Sequence, residues 1–397
     1  MQNKAIILGT HYNGLSIIQE LGSQKIPCVA ADTWKSIGTF SKYANYLKVP
    51  NPLTDDRRFI GFLYDFCSKE KLKPILFPTN DHWASALSKY KQELQSVSTP
   101  VVAEWDVMDT LLKKRKFYEL GKERNYLTPR NWTKEDIQLI DDSDFPIIAK
   151  PEYRRLPNSG IEKKDILDSK RFTLLENRSQ LNDFFTSNKS MLDYFLFQEY
   201  IYGLSNQMYT VGIYADDNSD ILGIFSGRKV RGYPAAFGDW VVGENHQVPD
   251  TLIDLTYKIT KDLKYKGIAE FEFKYDIKRK EYRLIEINPR SWSWVGITGF
   301  IGIGFATLAY NDKSKGQKLY SNSLALPSGT VRYLKLFEDL DNCINKYKIE
   351  YEPWNYGFIK WLKKHRGKKT IYVEFAKFDL IIPFIAAYRK MREIMKR

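Results

Sequence analysis

Polar side chains recur at every second position along two neighbouring segments of residues 267–290, GIAEFEFKYDIKRKEYRLIEINPR. Both segments alternate polar with apolar residues and flank a charged turn, a pattern that predicts a β-hairpin. A turn centred on Arg279 places Glu272 opposite Glu286. Because side chains alternate across a strand, one face then carries Glu270, Glu272, Glu286 and Asn288. The opposite face is predicted to enter a core and carries Phe271, Phe273, Ile285 and Ile287.

The oxygen-bearing side chains of the polar face form a candidate metal site. Carboxylates that lie opposite each other on neighbouring strands repel, and a fold tolerates that repulsion best when cations lie between them. Glutamate and asparagine oxygens are hard ligands that suit Mg²⁺ and leave positions open for phosphate oxygens. We therefore predict a magnesium site on this face, and Arg290 has the right parity to reach the same place. The alternative is a solvated hairpin face, with which Lys274 is consistent.

Cationic side chains also end or follow two other strand-like segments. Residues 145–151, FPIIAKP, form an apolar strand pattern, and its Lys150 must reach solvent or find an anion. Residues 226–231, SGRKVR, place three cations after a glycine that frees the backbone. Arg228 and Lys229 are therefore candidates for stabilising a transferring phosphoryl group. The alternative for this second cluster is the charged end of a hairpin.

Residues 1–105 alternate strand-like and helix-like segments, which predicts βαβ units and a parallel sheet. A dinucleotide site would need G-x-G-x-x-G at the first turn and an acid after the second strand. Asp32 is placed correctly, but the turn has only Gly9 and Gly14, so a dehydrogenase is the weaker alternative. Other polar residues follow the carboxyl ends of strands and are predicted to line a crevice, unless they cap helices or form turns: His11, Asn13, Asn80 and Asp81.

The composition is that of a soluble globular protein with two or three domains. The chain has 397 residues, of which 43% are hydrophobic and 27% are charged. The cysteines Cys28, Cys67 and Cys343 lack metal-binding spacing, which favours a reduced, cytoplasmic protein. The first residues lack a signal-peptide pattern, and no apolar run approaches the ~20 residues that span a bilayer.

Positive charge is concentrated towards the C-terminus. The net charge is +13, and residues 331–397 hold 16 Lys and Arg against 8 Asp and Glu. Such a segment could meet an anionic membrane, nucleic acid or a polyanionic substrate, or it could be an ordinary basic surface. We predict a cytoplasmic protein without a nucleic-acid partner, and leave peripheral contact with the inner face of the membrane as an open alternative.

Four motifs occur in an order typical of one enzyme family. They are KFYEL followed by LTP within residues 116–129, FPIIAKP at 145–151, FLFQEYIYG at 195–203 and EINPR at 286–290. Together with GTHYNGLS at 9–16, they resemble the ATP-grasp carboxylate–amine ligases of the D-aspartate-ligase-like type, including relatives in cell-surface polymer synthesis.

The resemblance implies a fold of α/β and α+β parts. A Rossmann-like front domain would occupy residues 1–105, and an ATP-grasp domain of two α+β subdomains clasping ATP would occupy 106–325. Its small lid subdomain would lie near 130–200, and residues 326–397 would form a basic C-terminal extension. The phosphate-covering loop at 152–164 has only Gly160 where family members have several glycines. Side-chain cations would partly replace backbone amides there, namely Arg154, Arg155, Lys163 and Lys164.

The resemblance also implies ligand roles for named residues. ATP and Mg²⁺ are the expected cofactors, with two ions at the hairpin site held by Glu272, Glu286 and Asn288. Lys116 and Lys150 would hold nucleotide phosphates, and Asn206 would hold the ribose. The adenine would pair with a strand end made of Gln198, Glu199, Tyr200 and Ile201. An acyl phosphate would be stabilised by Arg290, Arg228 and Lys229.

The implied reaction has two steps. ATP phosphorylates a carboxylate, and an amine then displaces phosphate from the acyl phosphate to leave an amide. The expected partners are a small-molecule or carrier-linked carboxylate and an amine such as an amino acid. Two other classes stay open: a non-catalytic nucleotide-binding regulator with this fold, and a membrane- or polymer-associated scaffold that uses the basic C-terminal segment.

Overall fold

Two compact units make up the chain in the computed structural model, which describes residues 2–152, 172–233, 239–316, 329–344 and 369–395. The first unit comprises Met1–Met108, Leu204–Glu272 and Asn288–Arg397. The second comprises Asp109–Gly203 and Phe273–Ile287. The boundary between them therefore passes through the hairpin predicted from the sequence.

The N-terminal part of the first unit is a parallel five-stranded sheet in the order β3-β2-β1-β4-β5. The strands are β1 (Ala5–Leu8), β2 (Cys28–Asp32), β3 (Ala44–Lys48), β4 (Ile75–Pro78) and β5 (Thr99–Pro100). The helices are α1 (Tyr12–Gly22), α2 (Asp56–Cys67), α3 (Asp81–Lys89) and α4 (Lys91–Leu94), with a 3₁₀ turn at Ile37–Phe40. Every residue of β1 and β4 is buried, as expected for parallel strands covered on both faces. The parallel sheet predicted for this region is confirmed.

The first turn of this sheet uses its glycines and its acid for packing. A Cβ at Gly14 would lie 2.2 Å from the carbonyl oxygen of Gly9, so the residue lets α1 approach the end of β1. Asp32 Oδ2 accepts hydrogen bonds from the Thr10 amide at 2.8 Å, and from the Thr10 and Ser36 hydroxyls at 2.9 Å each. Asp32 is 4% exposed. Its carboxylate therefore ties two loops together, and nothing in this turn favours the dehydrogenase alternative.

The second unit contains a four-stranded antiparallel sheet in the order β6-β9-β7-β8. Its strands are β6 (Asn131–Trp132), β7 (Ile147–Pro151), β8 (Thr173–Leu175) and β9 (Phe195–Glu199). Helices α5 (Trp105–Leu112), α6 (Lys114–Arg124) and α7 (Arg178–Ser187) belong to this part of the chain, with α5 starting in the first unit. Phe184 of α7 meets Phe195 and Phe197 edge to face, which helps to close the small core.

The remaining strands form a seven-stranded sheet in the order β14-β13-β10-β11-β12-β15-β16. They are β10 (Met208–Ala215), β11 (Ile221–Tyr233), β12 (Asp239–Asn245), β13 (Gly267–Asp276), β14 (Glu281–Asn288), β15 (Val331–Leu334) and β16 (Lys369–Tyr372). The helices that alternate with these strands are α8 (Asp250–Asp262), α9 (Ile297–Phe300), α10 (Phe305–Lys315), α11 (Leu336–Ile344) and α12 (Ile382–Ile394). None of the helices in the described part of the chain has the length and apolar content needed to cross a bilayer.

The described residues of the predicted C-terminal extension are built into the first unit. β15 pairs antiparallel with β12 and parallel with β16, so both strands continue the large sheet. Ile382 and Ala386 of α12 are buried in one cluster with Leu15 and Ile37. Strand pairing and apolar burial therefore join these described residues to the rest of the first unit.

Glycines on three strands of the large sheet make room for tryptophans that follow the hairpin. A Cβ at Gly212 would lie 2.2 Å from Cη2 of Trp292, and one at Gly243 would lie 2.5 Å from Cε3 of Trp294. Both tryptophans are buried, and Trp294 stacks on Trp240 with ring centroids 6.2 Å apart. The segment after Arg290 is therefore held against the sheet by large rings that fit only over residues without a side chain.

Replacing Gly212 with alanine is expected to lower the free energy of unfolding by about 1–3 kcal/mol, the usual cost of overpacking a close-packed core. Gly61→Ala is the matched control, because Gly61 lies in α2 with no heavy atom within 4 Å of its ideal Cβ. Alanine in a helix interior is favoured over glycine, so the control is expected to gain up to about 1 kcal/mol. Urea unfolding of both variants measures the difference, and equal stabilities would contradict the packing described.

Candidate functional site

Glu270, Glu272 and Asn288 come together at the hairpin, joined by Thr210 of β10; we call these four residues the carboxylate cluster. Asn288 Nδ2 donates to Glu270 Oε2 at 3.0 Å and to Glu272 Oε1 at 2.8 Å. Thr210 Oγ1 donates to Glu270 Oε1 at 3.0 Å. Glu270 is 5% exposed and Asn288 is 7% exposed. The polar residues of β13 and of the end of β14 therefore share a face, as the alternation of the sequence indicates.

The apolar face of the hairpin differs from the prediction at one position. Phe271, Phe273 and Ile287 are almost fully buried, as expected. Ile285 is only half-buried, whereas Leu284 is fully buried. The Leu284 amide donates to the Leu127 carbonyl at 3.0 Å, so β14 is also held along its edge by the chain before β6.

The donor types in the carboxylate cluster fit a hard divalent cation. Two carboxylates and an amide oxygen are ligands that Mg²⁺ accepts. Asn288 turns its nitrogen towards the glutamates while its Oδ1 accepts from Arg290 Nη2 at 3.1 Å, so it would offer oxygen to a cation after rotating its amide. No group of three or more His, Cys, Asp and Glu side chains among the described residues is arranged to hold a metal. Glu286, the third predicted ligand, belongs to the second unit.

Arg290 is fixed between the end of the hairpin and the parallel sheet of the first unit. Its Nε donates to Asp81 Oδ1 at 2.8 Å, and its Nη1 donates to the Ser291 carbonyl at 3.1 Å. Asn13 Nδ2 donates to the Ser291 carbonyl at 3.0 Å and to the Thr79 carbonyl at 2.6 Å. The predicted crevice residues Asn13 and Asp81 therefore position the segment that carries Arg290.

The other two predicted crevice residues make local contacts. Asn80 caps α3, because its Oδ1 accepts from the Trp83 amide at 3.3 Å, as the alternative interpretation expects. His11 packs edge to face against Trp34 with ring centroids 5.4 Å apart. Neither contact indicates a ligand.

Arg228 lies in a row of charged residues that crosses three strands; we call Arg228, Glu244 and Arg332 the arginine row. Arg228 Nε and Nη2 contact Glu244 Oε1 at 2.9 and 2.8 Å, and Arg332 Nε donates to Glu244 Oε2 at 3.0 Å. Burial favours protonation of Glu244, but the hydrogen bonds from Arg332 and Arg228 prevail and lower the pKa of this carboxyl. Two arginines from different strands therefore share one ionised carboxylate.

The neighbours of Arg228 in the SGRKVR motif have other surroundings. Lys229 pairs with Gly243, one position along from Glu244, so it projects from the opposite face of β11. The structure therefore does not bring Arg228 and Lys229 together. Arg231 is 4% exposed and forms a buried ion pair with Asp339. The cations of this motif lie along one long strand rather than at the end of a hairpin.

Lys150 is the last residue but one of β7 in the second unit and contacts a buried tyrosine. Its Nζ donates to the Tyr118 hydroxyl at 2.7 Å and lies 4.9 Å from the ring centroid. The same hydroxyl lies 2.9 Å from Gln198 Oε1 and 2.8 Å from the Ile285 carbonyl oxygen. Burial, followed by the charge of Glu286, raises the pKa of Tyr118 well above its ordinary value. A neutral phenol therefore orients the Lys150 ammonium, and the Gln198 side chain is engaged in the same contact.

Glu199 has its carboxylate enclosed by arginines; we call Glu199, Arg130, Arg279 and Arg283 the Glu199 cluster. The carboxylate accepts from the Arg130 amide at 2.9 Å, and guanidinium nitrogens of the three arginines lie 3.4–3.6 Å from it. Glu199 is 1% exposed. Its side chain therefore fixes the end of β9. An adenine bound at this strand end would contact backbone groups.

The backbone at the end of β9 is partly used within the protein. The Glu199 amide donates to the Arg130 carbonyl at 3.0 Å, and the Tyr200 amide donates to the Pro146 carbonyl at 3.3 Å. Within the described ranges, the buried Ile201 has no such amide contact. The geometry is compatible with Ile201 as the predicted adenine donor. Asn206, predicted for ribose, lies half-buried in a 3₁₀ turn of the first unit.

The basic start of α6 places Lys114, and not Lys116, beside the end of β7. Lys116 is exposed and contacts Asp109 Oδ2 at 2.6 Å. Lys114 Nζ instead donates to the carbonyls of Pro151 and Glu152, at 2.9 and 3.1 Å. Lys114 therefore lies at the entrance to the predicted phosphate-covering loop. The loop cations at 154, 155, 163 and 164, with Gly160, lie outside the described residues.

Glu244 and Arg332 are the two residues of the arginine row that the sequence patterns did not indicate. The segment VRYL was assigned to a basic extension, although it is a short apolar strand with a single cation inside it. Arg332 resembles Lys150 in this respect, because a cation within an apolar strand needs a partner. That signal would have identified Arg332 as a residue bound to a carboxylate.

Known proteins resemble this chain in sequence and in fold. No protein-family model matches the chain. It is 25% identical over 263 residues to D-aspartate ligase from Enterococcus faecium (strain Aus0004), a match that covers 62% of this chain. The chain thus spans 60% of the length of this curated relative.

Solved structures share the fold at low sequence identity. The biotin carboxylase–βγ-ATP complex from Campylobacter jejuni superposes with a TM-score of 0.61 at 14% identity, covering 83% of this chain and 74% of that one. An L-amino acid ligase from Bacillus licheniformis superposes with a TM-score of 0.58 at 13% identity, covering 83% and 78%. The predicted fold class is thereby confirmed: the chain has the fold of ATP-grasp enzymes and resembles a D-aspartate ligase in sequence.

Proposed function

We propose that this protein is an ATP-dependent carboxylate–amine ligase that forms an amide through an acyl phosphate. The observation that carries the proposal is the carboxylate cluster joined to Arg290, where two glutamates share one asparagine amide and the guanidinium binds the same asparagine. The sequence similarity to D-aspartate ligase and the shared fold support this assignment.

In this proposal the carboxylate cluster holds magnesium through Glu272 and Asn288, with Glu286 as the further ligand predicted from the sequence. Magnesium bound there would offset negative charge on the phosphate oxygens of ATP. Arg290, held by Asp81, keeps its guanidinium in one orientation for a phosphorylated carboxylate. A fixed cation of this kind costs little reorganisation when charge develops in the reaction.

The remaining residues are proposed to bind the anionic and adenine parts of ATP and the substrate acid. Lys150, oriented by Tyr118, would contact a phosphate, with Lys116 or its neighbour Lys114 at the loop entrance. The guanidinium groups of the arginine row would contact the substrate carboxylate or its phosphate. The Ile201 amide would donate to the adenine.

We further propose that the amine is an amino acid, with D-aspartate as the first candidate because the curated relative is named D-aspartate ligase. The carboxylate is proposed to be a small molecule or a group on the precursor of a cell-surface polymer. The net charge of +13 is compatible with such an anionic carrier.

The test is ADP formation by the full chain with ATP, Mg²⁺ and paired panels of amino acids and carboxylic acids, including uronic acids, with mass spectrometry of the product. ADP that requires both an acid and an amine, together with an amide of the summed mass less water, is the expected result. ATP binding without ADP formation for any pair would instead favour the regulator class. D- and L-aspartate tested side by side separate the amine proposal from the ligase proposal.

A further inference from the structure

One side of α12 is apolar and exposed, although the opposite side is packed into the first unit. Ile382 and Ala386 are buried, and Lys390 is 6% exposed. On the outer side Phe384 is 75% exposed, Tyr388 and Met391 are each 54% exposed, and Met395, just past the helix, is 69% exposed. These four residues are spaced by three or four positions, so they form a single stripe along the helix.

The segment that leads into α12 adds two further exposed apolar side chains. Phe378 is 81% exposed and Leu380 is 69% exposed. We call Phe378, Leu380, Phe384, Tyr388, Met391 and Met395 the α12 face.

Phe378 is presented by a constrained backbone. Lys377 and Phe378 adopt φ values of 54° and 53°, a left-handed conformation that costs non-glycine residues roughly 1–2 kcal/mol each. The fully buried Asp379 compensates by accepting hydrogen bonds from the Ser41 hydroxyl and, at 3.1 Å, from the Lys42 amide. The exposed phenyl ring is therefore held outward by a fixed loop.

Cations border this apolar face. Arg392 is exposed and its guanidinium lies 6.0 Å from the Tyr388 ring centroid. Arg389 lies over the rings of Trp34 and Phe40, at 5.4 and 5.7 Å. Lys390 of the same helix is buried between two acids, Asp341 at 2.7 Å and Glu393 at 3.2 Å, and Glu393 is the one acid of α12 against these two arginines. The border of the α12 face is therefore positively charged.

We propose that the α12 face docks on the surface of an anionic phospholipid membrane. Aromatic and methionine side chains that project separately from a helix suit a soft lipid phase, and a helix of this kind lies in the interface with its apolar side among the acyl chains. Arginines beside the stripe would contact anionic headgroups, each basic residue near such a surface contributing about 1 kcal/mol. This docking does not require the proposed ligase activity.

Co-sedimentation of the full chain with vesicles tests the docking. Wild-type protein is expected to pellet with mixed phosphatidylcholine and phosphatidylglycerol vesicles and far less with phosphatidylcholine alone. The double variant Phe378→Asn/Phe384→Ser is expected to bind about tenfold or more weakly, because it loses two aromatic anchors. Arg392→Glu is expected to weaken binding and its dependence on salt.

A matched control is Leu139→Ser/Ile277→Ser, which removes two apolar side chains that are 64% and 53% exposed in the second unit. This control is expected to pellet like the wild type, and unchanged unfolding midpoints would show that all variants fold. Equal binding of the wild type and the Phe378→Asn/Phe384→Ser variant, or no binding by either, overturns the proposal. Light scattering that finds a wild-type dimer and a monomeric double variant would also overturn it, by assigning the face to a second copy of the chain.

Discussion

Replacing Glu272 with glutamine is expected to lower ADP formation by about 10²–10³-fold, the scale on which one preorganised charge-stabilising group acts. Glutamine keeps the oxygen that accepts from Asn288 Nδ2, so the local hydrogen bond survives the change. The substitution also removes one of two negative charges that lie close together beside that amide. Activity should therefore fall while the free energy of unfolding stays equal or rises, since like charges in proximity destabilise. Steady-state rates across a Mg²⁺ titration, with urea unfolding, measure both effects.

Glu123→Gln is the control for this variant, because Glu123 lies on α6 and is 68% exposed. Its activity and its Mg²⁺ requirement are expected to match those of the wild type. A Glu272→Gln enzyme with wild-type rates at limiting Mg²⁺ would exclude a metal role for this carboxylate. A variant that lost activity because it unfolded would be recognised by its urea midpoint.

Replacing Glu199 with alanine is expected to destabilise the second unit by about 2–4 kcal/mol. Three arginines would lose their shared counter-ion, and the Arg130 amide would lose its acceptor. Breaking a buried ion pair costs about 3–5 kcal/mol, and the expected value is smaller because the Arg130 side chain is 56% exposed. Hydrogen exchange of the full chain should show lost protection in the peptides that contain β6 and β9.

Glu123→Ala serves as the matched change at an exposed glutamate of the same unit, and an effect within about 0.5 kcal/mol is expected. Protection of β1 and β4, which lie in the first unit, should be retained in the Glu199→Ala protein. Equal stability of the two variants would show that the arginines find other partners. It would also show that the Glu199 carboxylate is not needed to hold the backbone at Ile201 in place.

The elements around the proposed site were predictable wherever local pattern decides structure. Alternation of side chains in residues 267–290 predicted the hairpin and placed Glu270, Glu272 and Asn288 on one face, because a strand allows only two directions. The apolar run before Lys150 likewise predicted β7, which ends one residue later at Pro151. The position of Asn80 directly before a helical segment indicated a helix cap as one of two alternatives, and the structure confirms the cap.

Features that depend on residues distant in sequence were not predictable in the same way. Asp81 and Arg290 are more than two hundred positions apart, so their ion pair has no local signal. The same holds for Glu244, whose two arginines come from β11 and β15. The many lysines of residues 331–397 favoured a basic extension as the prediction for this segment. Its two short strands were not predicted, because their pairing depends on residues elsewhere in the large sheet.

The tryptophans seated over strand glycines give the protein a built-in optical signal. Trp240 and Trp294 are parallel within 14°, and Trp292 follows Arg290 by only two residues. Rigidly packed aromatic rings produce near-ultraviolet circular dichroism, which disappears when side-chain packing loosens. Under the proposed function, a nucleotide or an acid that binds beside Arg290 would be detectable in unlabelled protein, because a shift of that segment changes the environment of these indoles.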